Sequence, residues 1–220
     1  MADYSSLSGE RVVSGSLMIP RYGAWVADVA LAVQTLLPSP VTLTVGTLSL
    51  VGAVVRAGAY AGSRAYRLVG GRGGWRRNIG ARAYTSAAGV LSSMVLADAA
   101  LEVGEQVVTT APEYLGSSYV RMAGPASSTL RQLAASWWVD ALGVTQVDTP
   151  RSSLPITSPF LPTHRDGAAG LIQIATEAEG DWMPGRTFTS PLLNGTLHTV
   201  QAARFAWDRD GVARVEVMVS

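Results

Sequence analysis

His164-Arg165-Asp166 sets an imidazole close to a carboxylate, the pair that a general acid-base step or a serine relay would use. Successive residues of an extended chain point to opposite sides, so closeness in sequence builds no relay here. No serine lies in the Gly-x-Ser-x-Gly elbow that presents a nucleophile. Glu177, Glu179 and Asp181 supply carboxylates of the kind that cleave glycosidic bonds, but their spacing reads as loop acids. Gly70-Gly71-Arg72-Gly73-Gly74-Trp75-Arg76-Arg77 offers backbone amides and guanidinium groups to a phosphate. The run lacks both the Walker and the dinucleotide spacing, and reads as a tight structural loop with Trp75 as a packing anchor. Asp208, Asp210 and Gly211 fall short of a calcium loop and read as a hairpin turn. Asn194-Gly195-Thr196 has the letters of a glycosylation acceptor and reads as a hairpin tip. His164 and His198 are the only histidines and there is no cysteine, which removes thiolate zinc sites, disulfides and cysteine nucleophiles. The expectation is no catalytic residue, no metal and no cofactor.

The elements that would carry a non-catalytic role follow from composition and period. The chain has 220 residues, 48% hydrophobic, enough for a substantial core. Only 15% are charged, so much of the surface consists of small polar and apolar groups suited to burial against partners. A net charge of +1 argues against a general nucleic-acid coat, and every cation is Arg. The start of the chain lacks the pattern of a secretory leader. The uncharged stretch between Asp28 and Arg56 is split by Pro38 and Pro40 and then alternates, which excludes a spanning helix and leaves no integral membrane segment.

Strands are expected over Arg11–Ile19, Ala24–Val33, Val41–Val45, Leu48–Ala57, Ser63–Val69 and Arg76–Tyr84, with turns at Pro20–Gly23 and Gly46-Thr47. A helix is expected near 87–103, capped by Ser86, closed by Gly104 and buried through Val90, Leu91, Met94, Val95 and Leu101. A strand at Tyr119–Met122 leads to a second helix near 127–142, buried through Leu130, Leu133, Ala134, Trp137 and Leu142 and closed by Gly143. Residues 149–163 are Pro-rich and read as an extended connection lying along a neighbour, followed by strands at Leu171–Ala175, Thr196–Phe205 and Val212–Val219. The fold class is α+β and β-rich: two related barrel-like β domains, 1–110 and 111–220, each with one amphipathic helix.

Six arginines from Arg64 to Arg82 precede the acids Asp98, Glu102, Glu105 and Glu113, complementary patches of the kind that orient subunits. Trp137-Trp138, if helical, would place one ring in the core and one at an interface. Candidate interface residues are Arg72, Trp75, Arg76, Arg77, Trp138, Pro155 and Pro159.

Val13-Ser14-Gly15-Ser16-Leu17-Met18-Ile19 with Tyr22-Gly23-Ala24-Trp25 resembles the first β-segment of phage tail and baseplate hub proteins. Ala83-Tyr84 through Val90-Leu91, and Thr129-Leu130-Arg131-Gln132-Leu133, resemble the repeated domains of that group. The resemblance implies a homotrimeric ring of barrel-like domains in the virion tail, assembled in the host cytoplasm. Such a ring surrounds the tail channel and joins the tail tube, or a distal tail protein, to the central spike, with the tape-measure protein as a further partner. These hubs are often longer than this chain, and the role carries no catalytic residues. Two rival expectations are a receptor- or carbohydrate-binding β module using Trp138 or Trp182, and a hydrolase using His164 or Glu177.

Overall fold

Strict alternation becomes a closed barrel at the start of the chain. The structure, a computed structural model, describes residues 4–33, 36–60, 62–208 and 214–220. β1 (Ser5–Leu7), β2 (Glu10–Pro20), β3 (Val26–Leu31), β4 (Val41–Val45), β5 (Leu48–Tyr60) and β6 (Ser63–Gly70) run in the order β1-β4-β5-β6-β3-β2. Pairing of β1 with β2 closes this ring of six antiparallel strands. Val41, Leu43 and Val45 point inward while Thr42 faces solvent, as a period of two requires. The expected tips at Gly46-Thr47 and Pro20–Gly23 connect the paired strands. Trp25, 1% exposed, fills one end of the barrel. Gly52 and Gly70 lie against its indole so closely that an added Cβ would stand 2.5 and 2.7 Å from ring atoms. Side chains at those two positions would displace the ring.

Between the barrel strands and the C-terminal ones lies a lobe with its own core. A short 3-10 turn at Gly74–Arg76 leads to β7 (Asn78–Ile79), β8 (Arg82–Thr85) and α1 (Ser92–Val103). β9 (Val107–Thr109), β10 (Ser118–Arg121), β11 (Gly124–Pro125), α2 (Ser127–Leu133), β12 (Trp137–Val139) and β13 (Thr145–Val147) follow. β8 pairs with β10 and β7 with β11, and β12-β13-β9 form a small sheet with one parallel pair. Both helices pack into one cluster around Val95, Leu96, Ala99, Leu130 and Trp75.

Here the sequence expectations need correction. The first helix starts at Ser92, not near 87, because Gly89 takes φ 94° and Leu91 is extended. Its buried face is Val95, Leu96, Ala99, Ala100 and Val103, while Met94 and Leu101 are 49% and 80% exposed. The glycine loop packs against the end of this helix: a Cβ on Gly74 would stand 2.2 Å from the carbonyl oxygen of Val103. The second helix stops at Leu133, where Ala134 is extended, and Trp137-Trp138-Val139 forms a strand instead. Aromatic and β-branched residues favour a pleated surface, and Gly143 closes the β12–β13 hairpin rather than a helix. The strand expected over Arg76–Tyr84 is broken into the 3-10 turn, β7 and β8.

β14 (Phe160–Asp166), β15 (Leu171–Thr176), β16 (Thr187–Phe188), β17 (His198–Trp207) and β18 (Arg214–Val219) complete the chain. β17 pairs with β2, and the sheet continues β17-β18-β15-β14. Strands from both sides of residue 110 therefore share one sheet and one apolar cluster, which runs from Leu7 to Val217. Trp182, Phe188 and Phe160 seal it edge to face at 5.0–5.6 Å. β17 and β18 pair antiparallel as a hairpin at Asp208–Gly211 would require, though Arg209, Asp210 and Gly211 lie outside the described residues.

Candidate interaction surface

The glycine-rich loop already holds an anion, and it belongs to the chain. Glu105, buried just beyond the end of α1, accepts hydrogen bonds from the backbone N–H of Arg72 at 3.0 and 3.2 Å and from that of Gly74 at 2.5 Å. A Cβ on Gly71 would stand 3.0 Å from the same carboxylate. Charge-assisted bonds of this kind are the strong ones, so the cradle that could have met a phosphate instead fixes the loop. Trp75 is buried in the lobe, its indole N–H donating to Thr145 Oγ1 at 2.8 Å. It is the packing anchor, and no exposed face of it remains. The side chains of Arg72, Arg76 and Arg77 are exposed.

The acidic patch is largely spent inside the lobe. Arg121, 1% exposed, donates to Asp98 Oδ2 at 3.1 Å, Glu102 Oε2 at 2.5 Å and the Gly80 carbonyl at 3.2 Å. Arg82 also reaches Asp98, and the Tyr84 hydroxyl donates to Asp98 Oδ2 at 2.6 Å. Burial, with this bond next, pushes the Tyr84 phenol up to about 12. Of the four acids that follow the arginine run, Glu113 alone makes none of these contacts. Sequence reasoning missed Arg121, and named Glu105 only as part of the acidic patch, because their partners stand 19 to 41 residues away.

Trp138 is half-buried under Arg151, whose guanidinium lies 4.3 Å from the ring centroid. Arg151 also donates to the carbonyls of Arg21 at 2.8 Å and Pro20 at 3.0 Å, and the Trp138 indole donates to Thr149 O at 2.9 Å. Burial, aided by Arg21, pulls Arg151 down to about 10, which leaves it a cation at neutral pH. The Pro-rich stretch therefore straps the lobe to the end of the barrel. Ile156 is buried, its N–H bonded to Thr187 O at 2.8 Å, and the stretch becomes β14 at Phe160. Pro155 and Pro159 stay exposed. The segment expected to lie along a neighbour thus runs along its own chain at Arg151 and Ile156.

The side chains weighed for chemistry are apart or engaged. His164 is exposed on β14, while Asp166 accepts from the N–H groups of Ala168 and Ala169 in a turn. Glu179 is buried against the Tyr4 hydroxyl at 3.0 Å, Asp181 holds Arg186 at 2.7 Å and bonds Ser158, and Glu177 is exposed. His198 stacks near Phe188, and burial, then Arg165, lowers its pKa. Asn194 sits in a left-handed turn. Among the described residues no group of three or more His, Asp or Glu could hold a metal ion, and no helix is long and apolar enough to cross a membrane. Trp182 is fully buried, and Arg151 covers one face of Trp138.

No protein-family model and no curated protein sequence matches the chain. Solved structures do share its fold. The E. coli c3393 protein, a component of the type VI secretion system with structural similarity to the T4 bacteriophage tail proteins gp27 and gp5, aligns at TM-score 0.65 and 10% identity. That alignment covers 98% of this chain and 76% of the other. A tail protein from Neisseria meningitidis MC58 aligns at 0.62 and 12% identity, over 98% and 95% of the two chains. The 43 kDa tail protein of prophage MuSo2 from Shewanella oneidensis aligns at 0.59 and 8%, over 98% and 96%. The β-rich, barrel-containing fold expected from the sequence is thus one that solved tail proteins share.

Proposed function

We propose that a chain carrying this fold along nearly its whole length is a structural subunit of a phage tail, working at its hub. In this reading it joins the tail tube to the central spike as a homotrimer and lines the channel, without catalysis. The observation that carries the reading is the shared fold over 98% of the chain with a gp27- and gp5-like secretion component and two tail proteins. Leu101, Val108, Val120, Met122 and Leu142 are exposed and available to a contact of this kind. Arg72, Arg76, Arg77, Pro155 and Pro159 are the exposed members of the sequence-based interface set and belong to the proposed contact surface.

Mass photometry and analytical ultracentrifugation of the purified chain, then negative-stain imaging, test the reading. A closed trimer with a central opening is expected, alone or on co-expression with tube and spike subunits. A monomer at high concentration that captures neither subunit would end it.

A further inference from the structure

Arg72, Arg76 and Arg77 converge on one groove of about 470 Å³, lined also by Pro40, Ala53 and Val54. No acidic side chain lines it, and none of the three arginines makes an ion pair among the described residues. The loop that carries them is pinned from beneath by Glu105 and from the side by the Arg77 carbonyl, which accepts from Ala126 N–H at 2.9 Å. The guanidinium groups are thus mounted on a fixed backbone, which lowers the ordering cost of binding.

The opposite wall is the margin of β5 beyond its last β4 partner. β4 pairs with β5 only as far as Val41–Gly52, while β5 runs on to Tyr60. The Val54 N–H on that margin is held by Ser39 Oγ at 3.3 Å, and the β5–β6 register shifts between Val54 and Arg56. An extended segment fits such a margin, with apolar side chains against Pro40, Ala53 and Val54.

We propose that this groove docks an extended, acidic segment of a partner protein, its carboxylates paired with Arg72, Arg76 and Arg77 and its alternate apolar side chains on the β5 wall. Guanidinium groups match carboxylates with two parallel bonds. A nucleic acid would need a longer positive track than one groove on a chain of net charge +1, and would leave the apolar wall unused. The proposal deepens the assembly reading by naming the chemistry of one contact, and rests on that reading only for the identity of the partner.

Fluorescence anisotropy of the full chain with a labelled, alternating Glu-Val peptide tests it, with an alternating Lys-Val peptide and a short DNA duplex as further probes. Saturable binding of the Glu-Val peptide is expected. Replacing the arginines together (Arg72→Gln, Arg76→Gln, Arg77→Gln) should weaken it roughly tenfold or more, the loss of about one good charged contact. Reversing them (Arg72→Glu, Arg76→Glu, Arg77→Glu) should transfer binding to the Lys-Val peptide, a gain that an unfolded chain would not show. Absence of Glu-Val binding, binding indifferent to the Gln variant, or tighter binding of the duplex would each overturn the proposal. None of these results depends on ring formation, which mass and imaging judge separately.

Discussion

The barrel and the lobe are held together by different physics. The barrel and its C-terminal strands enclose one apolar cluster from Leu7 to Val217, lined by alternating aliphatic side chains and sealed by Trp25, Trp182 and Phe188. The lobe is built from short elements, and buried charge fixes it: Glu105 in the glycine loop, and Arg121 between Asp98 and Glu102. Apolar burial is non-directional and tolerates small shifts, whereas a buried ion demands every one of its partners. The lobe should therefore be the region that single polar substitutions at its buried ions loosen most, and the barrel the region that volume changes disturb most.

The largest effect sharpens this contrast on the barrel side. Trp25→Ala removes a fully buried indole between Gly52 and Gly70 and should cost about 3–5 kcal/mol. Urea denaturation checks it. Protection of the barrel strands and of β17 should fall together, because β2 links them in one sheet. A loss below about 1 kcal/mol would mean that the barrel end is not packed around this ring.

How much of the molecule could be read in advance follows the same division. Val41–Val45 matched residue for residue, and β2, β3, β5, β6, β15 and β17 lay within a few residues of expectation, because each repeats with a period of two over a long run. The sequence makes α2 too long because Leu130 and Leu133 set a helical phase that Trp137 continues, whereas the chain turns extended at Ala134. On α1 the sequence reading places the large side chains Met94 and Leu101 inward, whereas the helix begins at Ser92 and turns Val95, Leu96, Ala99, Ala100 and Val103 to the core, leaving those two exposed. Arg72, Arg76 and Arg77 were legible as a basic surface. That Glu105 fills the loop beneath them was not, because a contact between residues 33 apart in sequence leaves no local trace.

A smaller effect belongs to that loop. Glu105→Gln keeps the side-chain shape but removes the charge and one acceptor oxygen, leaving part of the Arg72 and Gly74 N–H demand unmet at a cost of about 2 kcal/mol. Amide hydrogen exchange should accelerate at Arg72 and Gly74 while β3 and β4 keep their protection. Uniform acceleration across both regions would erase the proposed distinction between them.

The smallest effect is the pH response of the lobe. Tyr84 donates to Asp98 beside Arg121, and burial together with that bond raises its folded-state pKa from 10.0 to about 12. A group that holds its proton more tightly when folded stabilises the native state fully below the unfolded value and loses that contribution as pH rises through the folded one. The Tyr84 contribution is therefore complete below pH 10 and disappears between pH 10 and about 12. Solvent reaches this side chain, which screens the interaction and keeps the change modest. Tyr4 titrates in the same direction on the barrel side, raised by burial and by Glu179, so bulk unfolding alone would not separate the two. Comparing the wild-type chain with Tyr84→Phe does. Protection of β8 and β10 should fall with alkaline pH in the wild type, and Tyr84→Phe should remove that slope while leaving the barrel response in place. If the slope survives the substitution, the alkaline sensitivity of the lobe arises elsewhere and the Tyr84–Asp98 bond is not its source.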